Sequence, residues 1–160
     1  MSFYFLLSVR ALHFIFMAIW IGAAMMTPGD VKRSFAAGNP AATELELLRA
    51  RVRLGSIVAA VGAWGTILSG LGLVFLMGGF AAVPRAIHAA LVVAVVMLIV
   101  GRVGLGRSWS KISDLLGPDP SAVAHERVAP LLRKYRTLSM VLKSLWLVVL
   151  LLMVFRNVLG

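Results

Sequence analysis

Four long apolar blocks alternate with polar segments along the chain. The blocks cover about residues 3–26, 54–77, 85–103 and 137–155. Because a helix rises about 1.5 Å per residue, some 20 apolar residues cross the roughly 30 Å hydrocarbon core of a bilayer. The pattern therefore predicts an all-α fold, a single integral membrane domain built as a four-helix bundle.

The two long connections between these blocks, residues 27–53 and 104–136, are strongly basic, whereas the short turn at 78–84 has no Lys or Arg. Their cations are Lys32, Arg33, Arg49, Arg51, Arg53, Arg107, Lys111, Arg127, Arg133, Lys134 and Arg136. The positive-inside rule then predicts that both connections are cytoplasmic and both termini are outside. We expect the bacterial inner (plasma) membrane as the location.

Local signals predict how the connections are built. Pro28 and Gly29 predict the end of the first helix. Thr43 and Glu46 have the spacing of a capping box, which predicts a short helix beginning there. Turns are expected at 38–40 and 117–120, where Gly, Asn, Asp and Pro cluster.

Composition supports lipid as the solvent and narrows the chemistry. Hydrophobic residues make up 61% of the 160 residues, charged residues 14%, and the mean hydropathy is +0.96. The net charge of +10 comes without a nucleic-acid motif, so we expect these cations to meet anionic lipid headgroups and expect no nucleic acid as a partner. The absence of cysteine excludes disulfides and thiolate chemistry.

Small residues recur at helical spacing in the second block. Such spacing lets helices approach closely in lipid, and it can also form a groove for a flat ligand; the packing interpretation is the favoured one. The residues are Gly62, Thr66 and Gly70, with Gly65, Ser69 and Gly72 beside them.

Two near-identical tetrapeptides place ionisable residues inside the first and third spans. They are Arg10-Ala11-Leu12-His13 and Arg85-Ala86-Ile87-His88. An Arg three residues before a His lies on the same helix face. Since both spans run in the same direction, the two imidazoles could face each other as axial ligands of a haem b, with Arg10 and Arg85 meeting its propionates.

Other interpretations of these residues stay open. His13 is about 8 Å deeper in its span than His88, so the two could have different partners, hydrogen bonds to neighbouring helices among them. Trp20 shares the face of His13, and together with Trp64 it could wall a porphyrin. The histidines and the methionines, Met17 among them, could instead handle copper, because thioethers suit Cu(I).

The first block resembles a known family. Ala11-Leu12-His13, Phe16, Trp20, Gly22 and Pro28 are similar to the first helix of the HemJ-type protoporphyrinogen oxidases and of the related copper-resistance D (CopD-like) membrane domains, and His88 matches the histidine of the HemJ third helix. The resemblance implies a four-span, b-type haem protein that oxidises protoporphyrinogen and passes electrons to quinone or a respiratory chain. Ala90 departs from the family pattern, which has a Lys there.

The sequence therefore supports three candidate functions. The leading one is a haem b protein with a redox role and a porphyrin or quinone partner; if it is an enzyme, it is an oxidoreductase. The others are a copper-handling module and a structural subunit of a membrane complex or homo-oligomer. Arg102 and Lys143 are interpreted as snorkelling cations, and His125 as a solvated residue.

Overall fold

The computed structural model describes residues 3–36, 40–115 and 122–155, and these form a helical bundle. The helices are α1 (Phe3–Ser34), α2 (Ala42–Leu76), α3 (Arg85–Ile99), α4 (Gly106–Leu115) and α5 (Ala122–Val154). A π-helical segment, Val100–Leu105, joins α3 to α4 without a break, so the three pieces make one long rod. The predicted all-α four-helix architecture is confirmed.

The four long helices in the described part of the chain are apolar enough to cross a membrane. Their outer faces carry large apolar side chains: Phe14 is 62% exposed and Val92 is 63% exposed. Side chains of this kind on every outward face would be costly in water, whereas acyl chains solvate them. The predicted contact with a lipid bilayer is therefore supported by the fold.

Glycines on α2 allow α1 to pack against it in an antiparallel pair. A Cβ atom at Gly62 would lie 2.7 Å from the backbone nitrogen of Trp20, and one at Gly65 would overlap the ring of Phe16. The packing interpretation of these glycines is correct. Gly72 differs, because a Cβ there would meet nothing within 4 Å.

The helices are longer than the apolar blocks, so the predicted helix end at Pro28 is wrong. Helix α1 continues through Pro28 to Ser34. Val31, which is 1% exposed, packs with Leu48 and Ile112 in a second hydrophobic core beyond the apolar blocks. Burial of these side chains stabilises the longer helix. It offsets the cost of the backbone hydrogen bond that Pro28 cannot donate. We call this part of the bundle the basic end, and the opposite part, at residues 77–84, the turn end.

The capping prediction is also corrected. Helix α2 begins one residue earlier than expected, at Ala42, and the carboxylate of Glu44 accepts a hydrogen bond from the backbone N–H of Ala41 at 3.4 Å. Glu46 pairs with Arg49 instead of capping Thr43. The predicted turn at 117–120, most of the turn at 38–40 and the side chain of His125 lie outside the described residues.

The third span continues beyond its predicted end at Val103, because α4 is anchored at the basic end. The guanidinium of Arg49 donates to the hydroxyl and the backbone carbonyl of Ser113 at 2.9 and 2.8 Å. Ile112 is fully buried. The long connections are therefore largely helical.

The turn at the other end is as predicted, with Gly78 and Gly79 both at positive φ.

Candidate functional site: a cavity lined by a histidine

A cavity of about 470 Å³ lies between the four long helices on the side of the turn end. It exists because α3 packs mainly against α5 and approaches α2 at few positions, while α1 packs closely on α2. We call it the histidine cavity, since His13 lines it. Its other walls are mostly aliphatic side chains, methionines and tryptophans.

The hydrogen bonds around Ser69 favour one tautomer of His13. Nδ1 of His13 lies 3.0 Å from the hydroxyl oxygen of Ser69. That hydroxyl has one proton and two acceptors on its own helix, the carbonyls of Gly65 at 2.5 Å and Thr66 at 3.2 Å. When the proton is donated to either carbonyl, the Ser69 oxygen accepts from His13, so that Nδ1 carries the ring proton and Nε2 keeps its lone pair.

A metal binds the imidazole nitrogen that carries a free lone pair. Within the described part of the chain, the ring of His13 has hydrogen-bond contacts with the Ser69 hydroxyl at Nδ1 and with the backbone of Thr66. A neutral imidazole whose other nitrogen is held by a hydrogen bond is the usual state of a metal-ligating histidine. Gly70 lies beside the ring, and a Cβ there would be 3.1 Å from His13 Cε1. His13 is thus positioned and electronically suited to be a ligand.

Arg10 gives the histidine cavity a cation. It lies one turn closer to the turn end than His13, and its exposed side chain lines the same cavity. No Asp or Glu is among the described residues that line this cavity. The arrangement suits a ligand with an apolar body and an anionic group at one edge.

Two tryptophans close the cavity on the side of the basic end. Trp20 and Trp146 make an edge-to-face contact with ring centroids 4.9 Å apart. Both are buried, and Trp146 is 3% exposed. Within the described residues, Nε1 of Trp146 has no hydrogen-bond acceptor. Trp20 is where the sequence placed it, on the face of His13, whereas Trp146 was not predicted.

Four methionines also surround the cavity: Met17, Met77, Met97 and Met153. Met17 is the methionine that the sequence indicated, whereas Met25 and Met26, also on α1, are exposed. The four lie far apart in the chain, so no spacing rule connects them. Among the described residues, no group of three or more His, Asp or Glu side chains could hold a metal ion.

His88 and Arg85 do not line the histidine cavity. Nδ1 of His88 donates to the carbonyl of Pro84 at 3.3 Å, and its ring packs on Phe80 with centroids 5.7 Å apart. Helix α3 instead presents Ile87 to the cavity, and the next residue on a helix is rotated by about 100°. The structure therefore brings together Arg10, His13 and Trp20 and leaves Arg85 and His88 outside the cavity.

Trp64 does not wall the histidine cavity either. It is 56% exposed and lines a separate groove that lies toward the basic end. Arg102 also lines that groove. Its interpretation as a snorkelling cation did not predict that it would line a groove. Lys143 is exposed, as expected for a snorkelling cation.

Comparisons with protein-family models, curated proteins and solved structures give no match to this chain.

Proposed function

We propose that the protein is a haem b-binding membrane protein with a redox role, in which His13 is an axial ligand. The observation that carries this proposal is the contact between Nδ1 of His13 and the Ser69 hydroxyl in a buried residue that lines a cavity. When Nδ1 donates to Ser69, Nε2 keeps the lone pair that a metal ligand needs.

The residues around the cavity fit a haem. Its volume of about 470 Å³ lies within the range of ligand pockets, and its walls are largely apolar, as a macrocycle requires. Arg10 would pair with a propionate, and the Trp20–Trp146 contact would exclude water from the side of the basic end. A bound haem would supply one-electron chemistry, whose potential depends on its axial ligands and surroundings.

The resemblance to the HemJ-type oxidases extends the proposal to an activity. A porphyrinogen would be the electron donor and a quinone the acceptor. Ligation by His88, the other half of the predicted pair, stays a prediction; its position beside Phe80 favours a role outside the histidine cavity. In the same proposal the basic end faces the cytoplasm from a bacterial inner membrane.

An absorbance spectrum of the detergent-purified protein tests the proposal. We expect a Soret band, or one that appears when haemin is titrated into protein that lacks haem. The absence of such a band before and after the addition of haemin would contradict it.

A second candidate function is the handling of copper, and the four methionines around the histidine cavity favour it. Thioether and imidazole ligands together suit Cu(I). Elemental analysis of the purified protein separates the two proposals, since this one predicts copper without iron.

A further inference from the structure

A second cavity, of about 690 Å³, lies on the other side of the Trp20–Trp146 contact. We call it the basic-end groove. Its deep part is lined by small apolar side chains, including Ala23, Ala59 and Ala63, and its shallow part by Arg102 and Arg107. Both arginines are exposed, so the groove opens at the surface of the bundle.

The π-helical segment is what brings these two arginines to one groove. Residues five apart in an α-helix are about 140° apart around the axis. In a π-helix, whose hydrogen bonds join residue i to i+5, such residues lie nearly above one another. Arg102 lies in the segment Val100–Leu105 and Arg107 just after it, and both line the groove.

The two arginines lie at the level expected for lipid headgroups. Counted from Arg85 at the start of α3, Arg102 is about 26 Å along the rod and Arg107 about 33 Å, against a hydrocarbon core of roughly 30 Å. Trp109 and Tyr135 line the same part of the groove, as aromatic residues do at membrane interfaces. The deep part with its alanines is then at the level of the acyl chains.

The charges of the groove are not neutralised within the described residues. No Asp or Glu lines it there, and the ion pairs of the described chain involve Arg33 and Arg49 instead. Two guanidinium groups above an apolar slot are complementary to a molecule with an anionic head and a hydrocarbon tail.

We propose that the basic-end groove binds an anionic phospholipid, with the phosphate between Arg102 and Arg107 and an acyl chain among the alanines. The site is separate from the histidine cavity, and the proposal does not depend on haem or copper binding. Because an isolated phosphate ion has the same charge but no tail, it must bind much more weakly if the apolar slot contributes.

The tryptophans provide the readout, since all four in the chain, Trp20, Trp64, Trp109 and Trp146, line the groove. The full-length protein is placed in phosphatidylcholine nanodiscs that contain a small, equal fraction of either brominated phosphatidylglycerol or brominated phosphatidylcholine. Bromine quenches tryptophan fluorescence at short range. We expect more quenching by the anionic lipid, and we expect unlabelled phosphatidylglycerol to reverse it while inorganic phosphate does not.

Paired variants show whether the effect belongs to the groove. The double variant Arg102→Gln/Arg107→Gln should lose the excess quenching, with an affinity roughly 25-fold lower if each cation contributes about fivefold. The matched control Arg51→Gln/Arg53→Gln removes two exposed arginines from α2 that do not line the groove, and it should keep the excess. Native mass spectrometry of the same proteins should show one retained phosphatidylglycerol in the wild type and control only.

Three results would overturn the proposal. The first is equal quenching of the wild type by the two brominated lipids. The second is an equal loss of the excess quenching in the control and in the groove variant, which would mean that the anionic lipid is attracted to the basic surface in general. The third is reversal by inorganic phosphate at the concentration at which phosphatidylglycerol acts, which would identify a site for a free anion.

Discussion

One hydroxyl group bears on which nitrogen of His13 can bind a metal. When Ser69 donates its only proton to a carbonyl of its own helix, at Gly65 or Thr66, it accepts from His13 Nδ1 and the lone pair is left on Nε2. The side chain that orients a ligand is therefore as important to the proposed site as the ligand itself.

The variant Ser69→Ala tests this orientation. Loss of the acceptor frees the ring to rotate and to change tautomer, so we expect haemin to bind 10–100-fold more weakly, as is typical when the hydrogen-bond partner of a ligand is removed. The measurement is a haemin titration followed at the Soret band. Ser8→Ala is the matched control, since the exposed Ser8 hydroxyl on α1 bonds only its own helix at Tyr4. Equal affinity in the two variants would contradict the orienting role.

At the residue scale, the sequence indicated His13, Arg10 and Trp20 because they share one face of a helix. It did not indicate Ser69 as a partner of His13. In the sequence Ser69 is one of the small residues of α2, and a separation of 56 positions offers no spacing rule. Only the antiparallel register of α1 and α2 places them together.

At the scale of elements, close packing of α1 on α2 holds the wall of the histidine cavity in place. We expect Gly62→Ala to destabilise the protein by about 1–3 kcal/mol, because the added methyl group meets the backbone of Trp20, which cannot move aside as a side chain can. Thermal unfolding in detergent, followed by tryptophan fluorescence, measures the effect.

Gly72→Ala is the control for this experiment, since a Cβ atom there has open space. It should change stability by less than about 0.5 kcal/mol. If the two variants melt alike, the glycines of α2 do not determine how closely the helices approach.

The positions of the helices followed from the sequence, but their full lengths did not. Hydropathy detects the part of a helix that lipid solvates, so the predicted spans ended where charged residues begin. The helices continue because Val31, Leu45 and Ile112 bury one another in a second core beyond the apolar blocks. The π-helical segment was not predicted either, since its apolar and basic residues also fit an ordinary helix end.

At the scale of the whole molecule, the charge asymmetry predicts which end faces the cytoplasm. The chain has no cysteine, so single introduced cysteines can report the orientation without background labelling. We expect Ala81→Cys, in the exposed turn after α2, to react with a membrane-impermeant maleimide in intact cells. Lys111→Cys, exposed on α4, should react only after the membrane is permeabilised. The reverse pattern would invert the proposed topology.

The whole bundle could be predicted more completely than its cavities could. Block lengths determine the number of helices, and lipid solvation determines their outer faces. The shape of the interior depends on which pairs of helices touch, and the sparse contact between α2 and α3 has no signature in the hydropathy pattern. For that reason the repeated Arg-x-x-His motif suggested a symmetric pair, whereas only the Arg and His of its first copy line the histidine cavity.

The most direct test of the proposed site compares haemin binding by His13→Ala and His88→Ala. If His13 is the axial ligand in the histidine cavity, His13→Ala should lose the Soret band of the bound haem while His88→Ala, beside Phe80, retains it. A bound-haem spectrum that is unchanged in His13→Ala would contradict the account.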